Sequence, residues 1–171
     1  MIVRFVGAGF VVVSCSLLGW QLAAIGGRRV KDLMEFKKSL IMLKSQIDYA
    51  IYTLPQAFNH IAERVAPPFN AFYSEVACSL DEGNVDAATA WEQGLTALAG
   101  SHLNKEDLES IALLCFSLGH MDAAVQLNSI DMLIAAIDES LVRLNAENPK
   151  NAKMYCSLGV LGGLLITIVL L

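Results

Sequence analysis

Two stretches without a charged side chain, 5–25 and 154–171, stand at opposite ends of this chain and limit what lies between them. The sequence closes on "KMYCSLGVLGGLLITIVLL", an unbroken apolar run. At about 1.5 Å per residue, the helix 154–171 would reach roughly 27 Å, close to the hydrocarbon thickness of a bilayer. The first run, Phe5 to Ile25, has Gln21 as its one strongly polar side chain and is long enough to do the same. Both runs are therefore expected to span lipid. Composition agrees: 55% of the 171 residues are hydrophobic and the mean hydropathy is +0.51, too apolar for an ordinary water-soluble domain.

Two other readings of the first run are weaker. Ala23-Ala24 could mimic the exit of a cleaved leader, but the apolar run is long and Arg28-Arg29 follow it, as a retained anchor requires. Val12-Val13-Ser14-Cys15 has the look of a lipoprotein processing site, yet apolar sequence continues well past Cys15. Basic residues set the orientation. Arg28, Arg29, Lys31, Lys37 and Lys38 follow the first span and Arg143, Lys150 and Lys153 precede the second, against Arg4 alone on the far side. The expected plan is a transmembrane helix at 1–27, a cytoplasmic helical-bundle domain at 28–153 and a second transmembrane helix at 154–171. Both ends face the opposite compartment, with almost nothing beyond Leu171.

The middle reads as all-α, a bundle of about six helices. Leu33, Phe36, Leu40, Leu43, Ile47, Ala50 and Leu54 recur at threes and fours and form one stripe. A second helix begins at Thr53, with Gln56 three residues on and Pro55 in the first turn, and ends at Pro67-Pro68. A third runs from Pro68 to Leu80 and stops at Gly83; a fourth runs from Asp86 to Leu98. The fifth is predicted as one helix from Lys105 to Leu118, capped by Asn104 with Asp107. The sixth starts near Asp122 with a stripe of Leu127, Ile130, Ile134, Ile137, Leu141 and Leu144. Because the first helix leaves the membrane and the sixth returns to it, the two stripes are expected to pair antiparallel as a spine.

Charge divides along this plan. From Glu75 to Glu139 twelve acids face the single base Lys105, whereas bases prevail from Arg28 to Lys44. The basic end suits anionic headgroups, and the acidic end excludes nucleic acid and favours a basic partner. No catalytic constellation, cofactor loop or metal-ligand spacing is present. His60, His102 and His120 are far apart, and Cys15, Cys78, Cys115 and Cys156 read as small apolar fillers. Trp91 reads as core. Gly159 and Gly163 have the small-xxx-small spacing that lets spanning helices approach closely, within the chain or between copies in a homo-oligomer.

With these residues in view, the whole chain resembles the stage III sporulation protein AB family. The resemblance rests on the anchor followed by "RR", on "LIMLKSQIDYAIYTLPQAF" and on Ala90-Trp91. It rests further on the run Leu118-Gly119-x-x-Asp122-x-x-x-Gln126 and on the tail "SLGVLGGLL". The chain departs from the family pattern at Gln46, where an acid often stands, and delays to Pro55 the proline that follows Thr53. The resemblance implies a non-enzymatic platform or adaptor subunit in the mother-cell membrane around the forespore. It would belong to a secretion-like channel complex with other membrane subunits, and its bundle would be similar to cytoplasmic domains of type II secretion and type IV pilus platform proteins. The implied partner is a cytoplasmic secretion-type ATPase, stage III sporulation protein AA-like. The same resemblance puts a partner surface at Leu118, Gly119, Asp122 and Gln126, and the acids Glu106, Asp107 and Glu109 are expected to contribute. A membrane sensor signalling through its paired long helices is the alternative, weakened by how little sequence lies outside the membrane to sense with.

Overall fold

A computed structural model describes the backbone of residues 2–49, 52–83, 85–118 and 122–170, and the side chains of 14, 26–49, 52–83, 85–118, 122–147, 154, 157 and 161. Every regular element among the described residues is helical, without a strand. The order is α1 (Ile2–Asp48), α2 (Leu54–Ala62), α3 (Phe69–Asp81), α4 (Ala87–Gly94), a 3₁₀ segment (Leu95–Gly100), α5 (Lys105–Leu113), α6 (Cys115–Leu118) and α7 (Ala123–Leu170). The chain divides into two compact units, one of Lys31–Leu141 and one of Met1–Val30 with Val142–Leu171.

The expected spans at 1–27 and 154–171 fall mostly on side chains outside the described residues. Among the described residues no helix is long and apolar enough to cross a membrane. Gly159 and Gly163 lie in α7, and their packing is outside the described residues as well.

The larger unit is built on the expected antiparallel pair. Lys37 Nζ bonds the Asp138 carboxylate at 2.5 Å, and seven residues further along α1 Lys44 bonds Asp131 at 2.6 Å, seven residues earlier in α7. Opposite travel in equal steps fixes both direction and register. Along this seam Leu33, Phe36, Leu40 and Leu43 are buried on α1, and Ile130, Leu133, Ile137 and Leu141 on α7. Each such side chain removed from water contributes roughly 1.5–3 kcal/mol. The α7 stripe differs from the prediction at two positions: Leu127 and Ile134 are only half-buried, whereas Leu133 is buried. The reason is a second neighbour. Leu33, Asp107, Ile111, Leu133 and Ile137 border one small cavity, so α7 must face both α1 and α5, and its apolar stripe widens towards Leu133.

Local rules place most of the helix ends. Thr53 N–H donates to Gln56 Oε1 at 3.2 Å at the start of α2. Asp86 Oδ1 accepts from Thr89 N–H at 2.9 Å at the start of α4, and hydrogen bonding from the Thr89 side chain, followed by this N–H, holds the Asp86 carboxyl below its ordinary range. Gly83, with φ +68°, follows the last turn of α3 in the left-handed conformation that glycine adopts without strain. Pro67-Pro68, joined by a cis peptide bond, separates α2 from α3.

The short helices close over an aromatic core. Trp91 sits among Phe58, Phe72 and Tyr73 with ring centroids 4.8–6.1 Å apart, edge-on to Phe72 at 86°. Phe36 against Phe69, at 5.6 Å, joins this core to α1. The buried Tyr73 hydroxyl lies 2.7 Å from Ser39 Oγ, which also reaches the Phe36 carbonyl at 2.6 Å. Burial pushes the Tyr73 pKa well above the usual tyrosine value, an effect that the Ser39 bond only partly offsets.

Two predicted helices are broken. The fourth is α-helical only to Gly94 and continues as a 3₁₀ turn to Gly100. The fifth breaks at Leu114, whose N–H bonds the Ile111 carbonyl at 3.3 Å, while Trp91 Nε1 donates to the same oxygen at 2.9 Å. A hydrogen bond from outside the helix thus holds a carbonyl at the point where α5 ends. Cys115, just past the break, is buried, and burial together with the Glu92 charge pushes its thiol up. Cys78 is exposed, so it is not the filler that its helical setting suggested.

Candidate functional site

The residues expected to meet a partner separate into two groups by burial. Leu118 is 1% exposed and Gln126 7% exposed. Gln126 Nε2 donates to the Leu118 carbonyl at 3.1 Å, closing the turn between α6 and α7. Asp122 caps the start of α7, its Oδ1 accepting from Ala124 N–H at 2.9 Å and its carbonyl from Gln126 N–H at 3.3 Å. Leu118 and Gln126 are therefore spent inside the fold, and Asp122 is exposed at the start of α7; Gly119 lies outside the described residues.

The acids of α5 divide in the same way. Asp107 is buried and forms a reciprocal capping box with Asn104: Asp107 N–H donates to Asn104 Oδ1 at 2.8 Å, and Asn104 N–H to Asp107 Oδ2 at 3.0 Å. Its carboxylate holds the helix start, as its spacing from Asn104 suggested, and is buried rather than exposed beside Glu106 and Glu109. Glu106 and Glu109 are exposed, Glu109 beside Lys105 at 3.5 Å.

Further charge is used inside the fold. Asp131 and Asp138 are neutralised by Lys44 and Lys37 across the α1–α7 seam. Asp32 Oδ2 accepts from His102 N–H at 2.6 Å and lies 3.2 Å from its Nδ1, tying the loop before α5 to α1. This carboxylate partner of His102 is 70 residues away in sequence, beyond the reach of spacing arguments. His60 stacks on Tyr52 with ring centroids 5.3 Å apart. No group of His, Cys, Asp or Glu among the described residues is arranged to hold a metal ion.

What remains on the outer surface is apolar as well as acidic. Ser110, Leu113 and Leu114 from the α5 side and Ser129, Met132 and Leu133 from α7 line an open groove. Of these, Leu113 and Met132 are each about two-thirds exposed, as is Phe116 on α6. Sequence reasoning did not single these out. The available signal was that Leu113 and Phe116 fall off the stripe made by Ile111, Leu114, Cys115 and Leu118, leaving large apolar side chains on the wrong face.

Comparison with known proteins places this architecture. The family profile of stage III sporulation protein AB matches residues 4–171. The chain belongs to the stage III sporulation protein AB family. Stage III sporulation protein AB of Bacillus subtilis (strain 168) is 30% identical over 169 residues, covering 98% of this chain and 99% of the relative. A solved structure of stage III sporulation protein AB matches with a TM-score of 0.67 at 25% identity, over 71% of this chain and 96% of that one. A role in sporulation follows from membership in the stage III sporulation protein AB family, and the all-helical fold agrees with the solved relative.

Proposed function

We propose that the chain is a non-enzymatic platform subunit of a sporulation complex between mother cell and forespore. In this reading its two ends lie in the mother-cell membrane, and its helical domain recruits a cytoplasmic secretion-type ATPase. The observation that carries the reading is the use of charge. The lysines of α1 neutralise the acids of α7 that face them, whereas Glu106, Glu109, Asp122 and Glu139 stay at the surface. An acidic face so disposed steers a basic partner. The uncharged runs at 5–25 and 154–171, with exposed Arg28 beside the first, support the membrane attachment.

The test combines topology with capture. Full-length chain is expressed with the ATPase of the same complex, and membranes are isolated. A single cysteine at Glu106 is expected to label only after the cytoplasmic side is opened, and the ATPase is expected to co-purify with the membrane-held chain. Labelling of that cysteine from the outside, or ATPase absent from the captured material, overturns the reading.

A further inference from the structure

We infer that the groove between α5 and α7 is the docking site for an amphipathic helix of the ATPase, bearing two large apolar side chains three or four residues apart with Lys or Arg beside them; this rests on the function proposed above. The two walls run antiparallel: Ser110 and Leu114 of one stand opposite Leu133 and Ser129 of the other. Leu113 and Met132 offer apolar contact along this line although the fold does not need them, being about two-thirds exposed. A groove walled by two helices with an apolar floor is the usual receptor for an amphipathic helix.

Charge selects the occupant. Glu106 lies two turns before Leu113 on the same face of α5, and Glu139 lies two turns after Met132 on the same face of α7. Neither is paired among the described residues, whereas Asp131 and Asp138, turned towards α1, both are. The bases of the larger unit lie largely on α1, and Lys105 of α5 is engaged by Glu109. A second copy would set acids against acids, and an anionic lipid surface would be repelled for the same reason. A basic helix meets both the floor and the rim.

The test uses the full chain in membranes with the co-expressed ATPase. Leu113→Ser with Met132→Ser is expected to lower ATPase capture about tenfold or more, as loss of central apolar anchors does. Glu106→Lys with Glu139→Lys is expected to lower it comparably, while Leu113→Met is tolerated. Ile41→Ser, at a half-exposed apolar residue of α1, serves as the control and is expected to leave capture unchanged. All the substituted side chains are exposed, so melting curves close to the parent are expected. A photo-crosslinker at Met132 is expected to join a helical segment of the ATPase rich in Lys or Arg. Capture by the parent but equally by the groove variants overturns the inference and leaves the functional reading standing, and so does a crosslink to a second copy or to lipid. No capture by the parent overturns both.

Discussion

The indole N–H of Trp91 donates to the main-chain oxygen of Ile111, 2.9 Å away and 20 residues along the chain. This bond joins α4 to the end of α5 inside the aromatic core. Trp91→Phe keeps most of the ring packing and removes the donor, so it should cost about 1–3 kcal/mol. Trp91→Ala should cost about 3–5 kcal/mol and empty the centre of the core. Chemical denaturation of the purified chain checks both values and their order.

At Gly94 α4 packs tightly against side chains of α3. A Cβ there would lie 2.6 Å from Val76 Cγ2 and 3.2–3.3 Å from the Phe72 ring. Alanine would gain up to about 1 kcal/mol of helix propensity, but overpacking at such a contact costs about 1–3 kcal/mol. Gly94→Ala is expected to be net destabilising and Gly94→Ala with Val76→Ala to recover part of the loss, measured as a double-mutant cycle in thermal melts.

Asp107 and Glu106 are neighbours with opposite expected behaviour. Asp107→Ala breaks the capping box with Asn104 and should cost about 1–2 kcal/mol. Glu106→Ala touches an exposed acid and should stay within about 0.5 kcal/mol of the parent. Equal losses in the two variants, read from urea midpoints, would contradict the capping geometry.

The ion pairs of the seam are half-exposed, so each is worth little alone, on the order of 0.2–1 kcal/mol. Their effect is on register. Lys44→Asp should weaken the unit and Lys44→Asp with Asp131→Lys should restore it, with a coupling energy of about 0.5–1 kcal/mol that shrinks as salt is raised. Thermal melts at two ionic strengths test this.

Tyr73 gives the stability an alkaline limit. Burial raises its folded pKa above the unfolded value of about 10, so its contribution is complete below that value and is lost as pH rises beyond it. The Cys115 thiol, also raised, adds loss of the same sign. Tyr73→Phe, which leaves Ser39 its bond to the Phe36 carbonyl, should flatten the fall in unfolding free energy between about pH 9 and about pH 11 without abolishing it. An unchanged slope would contradict burial of the hydroxyl.

What the sequence disclosed and what it withheld divide by distance along the chain. Helix starts at Asp86 and Asn104 and the stop at Gly83 depend on bonds within three or four residues, and they stand where spacing put them. The α1–α7 pairing was legible because two long stripes share one period. The break at Leu114 was not, since no proline or glycine marks it and the second donor to the Ile111 carbonyl comes from Trp91. Asp107 admitted two readings, cap and surface acid; its place three residues after Asn104 settles for the cap. Gln126 sits in an exposed-looking run, and only the folded turn shows its amide reaching back to Leu118. The groove escaped notice because exposed apolar residues have no pattern of their own until the core stripe beside them is known.

The seven-residue interval shared by Lys37, Lys44, Asp131 and Asp138 sets a rule for how this hairpin can change in length. One residue inserted between Lys37 and Leu40 would turn everything beyond it by about 100° and carry Leu40 and Leu43 off the seam. A whole heptad added to each arm, about 10.5 Å of rise, would leave both the greasy strip and the ionic clasps aligned. Matched steps of seven are therefore one way to lengthen or shorten this scaffold without losing its seam.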